Sequence, residues 1–229
     1  MSKDVIIACD FSKKEELCNF LSQFKNEKPF LKIGYQLFYA TGRELINELI
    51  EKGFRIFLDL KLHDIPNTVE QGVKSLVSLG VDFITVHAGG GNAMMRGAVK
   101  ATKGSLTKIL AVTQLTSTNQ VMLETELMIS HKMKDVINHY AVNALEAGVH
   151  GVVCSALESK FIKKEISSKL ITVTPGIRLT KDHHDQARVV TPQEARKNLA
   201  DYIVVGRPIT EDKNPLIAYH KIRKEFLGK

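Results

Sequence analysis

Tryptophan is absent from the 229 residues, aromatics of all kinds make up 7%, and cysteine occurs only as Cys9, Cys18 and Cys154. An odd number of scattered cysteines fits neither a disulfide framework nor the paired ligands of a zinc site, so we expect small apolar fillers in a reducing compartment. Nor does any apolar run approach the roughly 18–20 residues needed to span a bilayer. The opening stretch, Met1 to Phe11, passes directly into a strand-like pattern without the layout of a signal peptide. A cytoplasmic protein with no membrane partner is therefore expected. The scarcity of aromatics also bears on nucleic acid. Net charge is +7, but the lysines are dispersed rather than gathered in one tract, and no aromatics interleave with them as a base-stacking platform requires. The expectation is a solvated basic surface that helps draw in an anionic substrate, with no nucleic-acid partner.

What the chain does have is 44% hydrophobic residues at a length suited to one sizeable core. Short apolar runs alternate with longer helical patterns throughout, which argues for successive βα units on a parallel sheet. The strand candidates are Val5 to Cys9, Phe30 to Gly34, Phe54 to Leu60, Val81 to His87, Lys108 to Thr113, Gly151 to Cys154, Ile171 to Val173 and Tyr202 to Val205. Between and after them lie helix-like stretches: Lys13 to Lys25, Thr41 to Lys52, Val69 to Leu79, Asn92 to Thr102, Lys132 to Ala147, Ala156 to Ser167, Pro192 to Leu199 and Asn214 to Phe226. Thr191-Pro192-Gln193-Glu194 has the order of a capping box, and Gly53, Gly80 and Gly148 fall where helices should stop. With no linker, repeat or low-complexity segment, the alternation favours a single α/β domain over residues 1–229. Its expected form is a closed (β/α)₈ TIM barrel rather than an open doubly wound sheet.

Some charged residues do not belong in buried strands. Successive side chains on a strand face opposite ways, so in Phe57-Leu58-Asp59-Leu60-Lys61 the aspartate and lysine share one face and the leucines the other. If the leucines meet the helices, the charges point inward at the C-terminal mouth, where catalytic residues collect in this architecture. Lys32 alternates likewise with Leu31 and Ile33, and Asp10 ends the first strand. With neighbouring strands about 4.8 Å apart, Asp10, Lys32 and Asp59 should form one cluster. An ion-pair network held only for structure is the plainer alternative, yet hydrophobic replacements would often be as stable, which favours function. Asp64, just past a strand and before a helix, could equally be a helix cap.

Asp59-Leu-Lys61-Leu-His63-Asp64-Ile-Pro-Asn-Thr68 closely resembles the signature of the orotidine 5′-phosphate decarboxylase family in its bacterial form. Further similar segments follow in register over nearly the whole chain: Ile7-Ala-Cys-Asp10, Leu31-Lys32-Ile-Gly34, Thr85-Val-His87-Ala, Leu115-Thr116-Ser117, Thr174-Pro-Gly176-Ile-Arg178, Asp185-Gln186-Ala-Arg188 and Val205-Gly206-Arg207-Pro208. Leu179 departs from the proline that commonly follows the arginine in bacterial members, which bears on the conformation of that loop. The resemblance implies cofactor-free, metal-free decarboxylation of orotidine 5′-monophosphate to uridine 5′-monophosphate in pyrimidine biosynthesis. By the same resemblance Lys61 is the proton donor, and Lys32, Asp59, Lys61 and Asp64 form an alternating charge array. Asp64 and Thr68 would reach into the partner's site of an obligate homodimer. Asp10 and Lys32 would hold the ribose hydroxyls, Thr116 and Ser117 would meet the pyrimidine edge, and Arg178 would border the substrate. Gln186 would bridge phosphate and pyrimidine.

The phosphate should sit after the last strand, where Gly206 admits close backbone approach, Arg207 can fork to its oxygens and Pro208 suits a helix start. The long polar stretch from Gly176 to Val190 reads as a lid. His183-His184-Asp185 is an unpromising metal site, because adjacent histidines point apart on most backbones. Gly89-Gly90-Gly91 fails the dinucleotide fingerprint because Met94 stands at its final glycine position. His63 and His87 could support the site or simply be hydrogen-bonded barrel histidines. Two rivals remain: a magnesium-dependent relative acting on a sugar phosphate such as a keto-gulonate phosphate, and a non-catalytic phosphate-ligand sensor on the same barrel.

Overall fold

The computed structural model describes residues 3–179 and 189–228. Eight parallel strands, β1 (Asp4–Ala8), β2 (Phe30–Gly34), β3 (Ile56–Leu62), β4 (Phe83–His87), β5 (Lys108–Val112), β6 (Gly151–Val153), β7 (Ile171–Thr174) and β8 (Tyr202–Val205), close into a barrel in sequence order. Closure is made by β8 against β1, with Val5 opposite Ile203 and Ile7 opposite Val205. Around it run α1 (Lys14–Ser22), α2 (Tyr35–Glu51), α3 (Pro66–Val77), α4 (Gly91–Ala101), α5 (Gln120–Thr125), α6 (Met133–Glu146), α7 (Ala156–Phe161), α8 (Pro192–Lys197), α9 (Arg207–Thr210) and α10 (Pro215–Leu227). The (β/α)₈ barrel is thus the fold that the alternating pattern predicts, and the eight expected strands are present with small shifts at their ends.

The differences have local causes. Helix α2 starts at Tyr35, well before the expected Thr41, and breaks at Gly42, whose φ of 69° only glycine adopts without strain. The stretch expected as one helix from Ala156 to Ser167 changes after Phe161 to a π-helical turn, Ile162–Ile166. Two short helices, α5 and α9, escape the periodicity because neither spans two turns. The Thr191 capping box is present: the Thr191 hydroxyl accepts from the Glu194 N–H at 3.2 Å and the Glu194 carboxylate accepts from the Thr191 N–H at 2.8 Å. Cys9 and Cys154 are buried as expected, but Cys18 is exposed on α1, so it is no core filler.

Alternation along the strands sorts the core into two layers. Leu31, Ile33, Ile56, Leu58, Ile84, Ile203 and Val205 face outward to the helices, while Ile6, Phe30, Phe57, Phe83, Leu110, Ile171, Tyr202 and Val204 fill the interior. Phe83 lies at the centre of the barrel floor, its ring centroid 5.3 Å from Phe30, 5.8 Å from Phe57 and 5.3 Å from Tyr202. The Arg55 guanidinium closes this floor from the N-terminal end, 4.1 Å from the Phe30 centroid, and its Nε donates to Asp82 at 2.9 Å. Lys163 pairs with Asp201 at the same end, where Asp201 also accepts the Thr172 N–H at 2.8 Å. Salt bridges at the closed end of such a barrel serve stability.

The interior is filled by large side chains only because β6 makes room for them. A Cβ on Gly151 would lie 2.6 Å from the Ile171 carbonyl oxygen and 2.9 Å from the Leu110 side chain. Gly151→Ala should therefore destabilise the fold by about 1–3 kcal/mol through overpacking. A urea midpoint unchanged from wild type would show that the barrel relaxes freely at this point.

Candidate active site

The strands deliver their charged residues to one side of a cleft of about 600 Å³ at the C-terminal mouth. Lys32 Nζ lies 3.0 Å from Asp10 Oδ1 and 3.4 Å from Asp59 Oδ2, and Lys61 Nζ lies 2.9 Å from the same Asp59 oxygen. The predicted cluster of Asp10, Lys32, Asp59 and Lys61 therefore exists. The side chains of Lys32 and Asp59 are each 12% exposed and that of Asp10 61%, so the array runs from the barrel wall to the solvent.

Lys61 arrives by a different route from the one alternation suggests. Its φ is 49°, in the left-handed region that a non-glycine residue rarely enters. Here the β3–β4 register slips: Leu58 pairs with Ile84, but Leu62, four residues on, pairs with Val86, only two residues on. The extra residues form a bulge that re-aims the lysine toward Asp59, a known use of such irregularities beside functional sites. Backbone held this way costs on the order of 1–3 kcal/mol and persists only when its surroundings impose it. One restraint is Thr85 on β4, a residue to which sequence reasoning assigned no role. Its Oγ1 accepts the Lys61 N–H at 2.9 Å and donates to Asp59 Oδ1 at 3.0 Å.

Electrostatics follow the geometry. Burial alone would raise the Asp59 carboxyl, but Lys32 and Lys61, with hydrogen bonds from Lys61 and Thr85, outweigh it and hold its pKa below the usual value. Burial would likewise lower Lys32, yet Asp59 and Asp10 prevail and its pKa is raised. Both groups therefore stay charged across neutral pH. His87 behaves oppositely: burial, then His63 and Lys61, lower its pKa. Its ring stacks on His63 with centroids 5.3 Å apart, and its Nδ1 accepts the Gly89 N–H at 3.2 Å, which leaves the proton of the neutral ring on Nε2.

The remaining candidates divide. Thr116, Ser117, Arg178, Gly206 and Arg207 line the same cleft as the charged cluster, together with Gln114, which sequence reasoning missed. Gly206 precedes α9, and its carbonyl accepts the N–H groups of Ile209 and Thr210 at 2.8 and 3.0 Å. Gln186 lies outside the described residues, as do His183, His184 and Asp185. The residues flanking that stretch are tied together: Arg178 N donates to the Val190 carbonyl and Val190 N to the Gly176 carbonyl, both at 3.0 Å. Asp64 and Thr68 are exposed and do not join the cluster within this chain. Asp64 accepts the N–H of Ile65 at 2.6 Å, and the residue capping α3 is Ile65 itself, so Asp64 is not the helix cap. Among the described residues no group of three or more His, Cys, Asp or Glu side chains is placed to hold a metal ion.

With this geometry in view, comparison with known proteins is decisive. The family model described as Orotidine 5′-phosphate decarboxylase / HUMPS family matches residues 3–222. The chain belongs to this family. It is 46% identical to the orotidine 5′-phosphate decarboxylase of Bacillus cytotoxicus, with 100% of this chain and 99% of that protein covered. It is also 46% identical to the enzyme of that name from Malacoplasma penetrans, with 99% of each covered. The crystal structure of the orotidine 5′-phosphate decarboxylase from Lactobacillus acidophilus superposes with a TM-score of 0.89 at 40% identity, covering 98% of this chain and 99% of that one. The enzyme class comes with the family: the chain is a carboxy-lyase.

Because Lys61 is left-handed, glycine should be tolerated there better than alanine. The left-handed penalty of about 1–2 kcal/mol, less the roughly 0.4–1 kcal/mol of chain entropy that glycine loses on folding, leaves Lys61→Gly more stable than Lys61→Ala by about 0.8 kcal/mol at the midpoints of the two ranges. Thermal melts of the two variants check this, and equal stability would argue against the left-handed backbone.

Proposed function

We propose that the chain decarboxylates orotidine 5′-monophosphate to uridine 5′-monophosphate without a cofactor, with the Lys61 ammonium stabilising and then protonating the carbanion at C6. The bond from C6 to the carboxylate carbon breaks, its electron pair stays on C6, carbon dioxide departs, and a proton from Lys61 Nζ takes its place. The observation that carries this reading is the Lys61 ammonium held 2.9 Å from Asp59 in the family's cleft. A carbanion in an sp² orbital has no ordinary electron sink, so preorganised positive charge beside it is the available remedy. Two unit charges 4 Å apart interact by about 4 kcal/mol at an effective dielectric near 20, well short of the roughly 8–23 kcal/mol of barrier lowering that enzymes supply. Lys32 and Asp59 therefore serve to fix Lys61, and Asp59 crowds the departing carboxylate.

Binding at a distance from the reacting carbon supplies the rest. In this reading Gly206 and Arg207 take the phosphate, with Gln186 bridging it to the pyrimidine and Arg178 bordering the site. Thr116 and Ser117 meet the pyrimidine edge, and Asp10 and Lys32 hold the ribose hydroxyls. Asp64 and Thr68 serve the active site of a second copy in a homodimer. Ile65, beside Asp64, is 66% exposed and Tyr39 on α2 is 76% exposed, apolar surface of the kind that an interface covers. A cytoplasmic location fits the three free cysteines.

Lys61→Ala should abolish carbon dioxide release from orotidine 5′-monophosphate while uridine 5′-monophosphate still binds, and retention of more than a few per cent of the activity would refute the donor role. Wild-type turnover should also survive exhaustive chelation. Its loss would favour the rival reading of a magnesium-dependent enzyme acting on a sugar phosphate. Mixing Lys61→Ala with Asp64→Ala subunits should regenerate one intact site per mixed dimer. If subunits exchange and no activity returns, Asp64 serves its own chain.

A further inference from the structure

Thr85 sits on β4 with no accessible surface, and its hydroxyl touches both Asp59 and the backbone of Lys61 through hydrogen bonds described above. A hydroxyl has one proton and two lone pairs. Here the proton goes to Asp59 Oδ1 and a lone pair to the Lys61 N–H, so both the side-chain rotamer and the direction of the O–H are fixed. The Lys61 amide needs that acceptor because the register slip between Leu58 and Leu62 takes this part of β3 out of its regular ladder with β4. The Asp59 carboxylate is oriented by the same contact. With Oδ1 held by Thr85, Oδ2 is the oxygen presented to both ammonium groups, Lys61 at 2.9 Å and Lys32 at 3.4 Å.

We propose that Thr85 is a positioning residue for decarboxylation: its hydroxyl locks the left-handed backbone of Lys61 to the carboxylate of Asp59 and so aims the lysine at the reacting carbon. This rests on the reading of Lys61 as proton donor. The role needs no contact with substrate, and Thr85 is not among the residues lining the cleft. Its loss should therefore appear in turnover rather than in binding. A displacement of about 1 Å in a reacting group can lower turnover about 100-fold.

The experiment compares Thr85→Val, which keeps the shape and removes the hydroxyl, with Thr85→Ala and Thr85→Ser. Steady-state kinetics with orotidine 5′-monophosphate are measured beside calorimetric binding of uridine 5′-monophosphate. Thr85→Val and Thr85→Ala should each lose about 100-fold in kcat, with KM and product affinity near wild type, and Thr85→Ser should recover most of the loss. If valine proves too disruptive to fold, the alanine and serine pair gives the same comparison. Unchanged kcat in a hydroxyl-free variant overturns the proposal. So does a serine variant as impaired as alanine, or a loss that falls on KM and product affinity instead of kcat. Wild-type protein that binds uridine 5′-monophosphate yet releases no carbon dioxide would overturn the functional reading and this proposal together. An active wild type with an equally active Thr85→Val overturns this proposal alone.

Discussion

A carboxylate withdrawn from water stays ionised only where positive charge and hydrogen bonds replace its hydration. At the mouth of this barrel Asp59 meets that condition: Lys32 and Lys61 share one of its oxygens and Thr85 holds the other. Each partner comes from a different place in the chain, Lys32 from β2, Lys61 from the bulged end of β3 and Thr85 from β4, with Asp10 joining from the end of β1. The arrangement therefore requires four consecutive strands in one register. Were Lys32 removed, Asp59 would remain as a buried charge short of compensation, a loss that commonly amounts to about 3–5 kcal/mol. The stability of the fold and the readiness of the lysine are thus coupled through one carboxylate.

The two ends of the barrel are built on opposite principles. At the closed end the floor is aromatic, and its salt bridges, Arg55 with Asp82 and Lys163 with Asp201, have partners of opposite sign. At the open end two ammonium groups converge on one carboxylate, and the neighbouring backbone is held in a left-handed conformation. Even with Asp10 also paired to Lys32, the second arrangement brings two ammonium groups together around one carboxylate oxygen. In the proposed mechanism such a grouping has to be in place before substrate arrives, since fixed charge does not have to reorganise during the reaction. The tightly filled interior beneath, with Phe83 between three other rings, provides the rigid base on which that grouping is held.

Much of this could be read from residues alone. Phe30–Gly34 and Tyr202–Val205 are strands with the bounds that their apolar runs suggest, and strict alternation places Lys32 and Asp59 inward. Alternation fails at Lys61, because a bulge built without glycine leaves no trace in a β-rich segment. The lysine reaches the predicted neighbour by an unpredicted path. Thr85 was hidden for a different reason: threonine is an ordinary strand residue, and only its position opposite the bulge makes its hydroxyl special. Asp64 and Thr68 belong to the motif but stay outside the cluster of their own chain, since the turn after β3 carries them outward. The short helices α5 and α9 are beyond the reach of periodicity, which needs more than one repeat to register.

The parallel bridge between Ile177 and Val190 makes one knot of the residues that flank positions 180–188. Because the chain is tied together on both sides of those positions, the spacing of β7 and β8 does not depend on how many residues lie between them in sequence. Doubling the length of such a connection adds only about 0.6 kcal/mol of closure entropy. A change in the length of this connection therefore leaves the register of the charged mouth undisturbed.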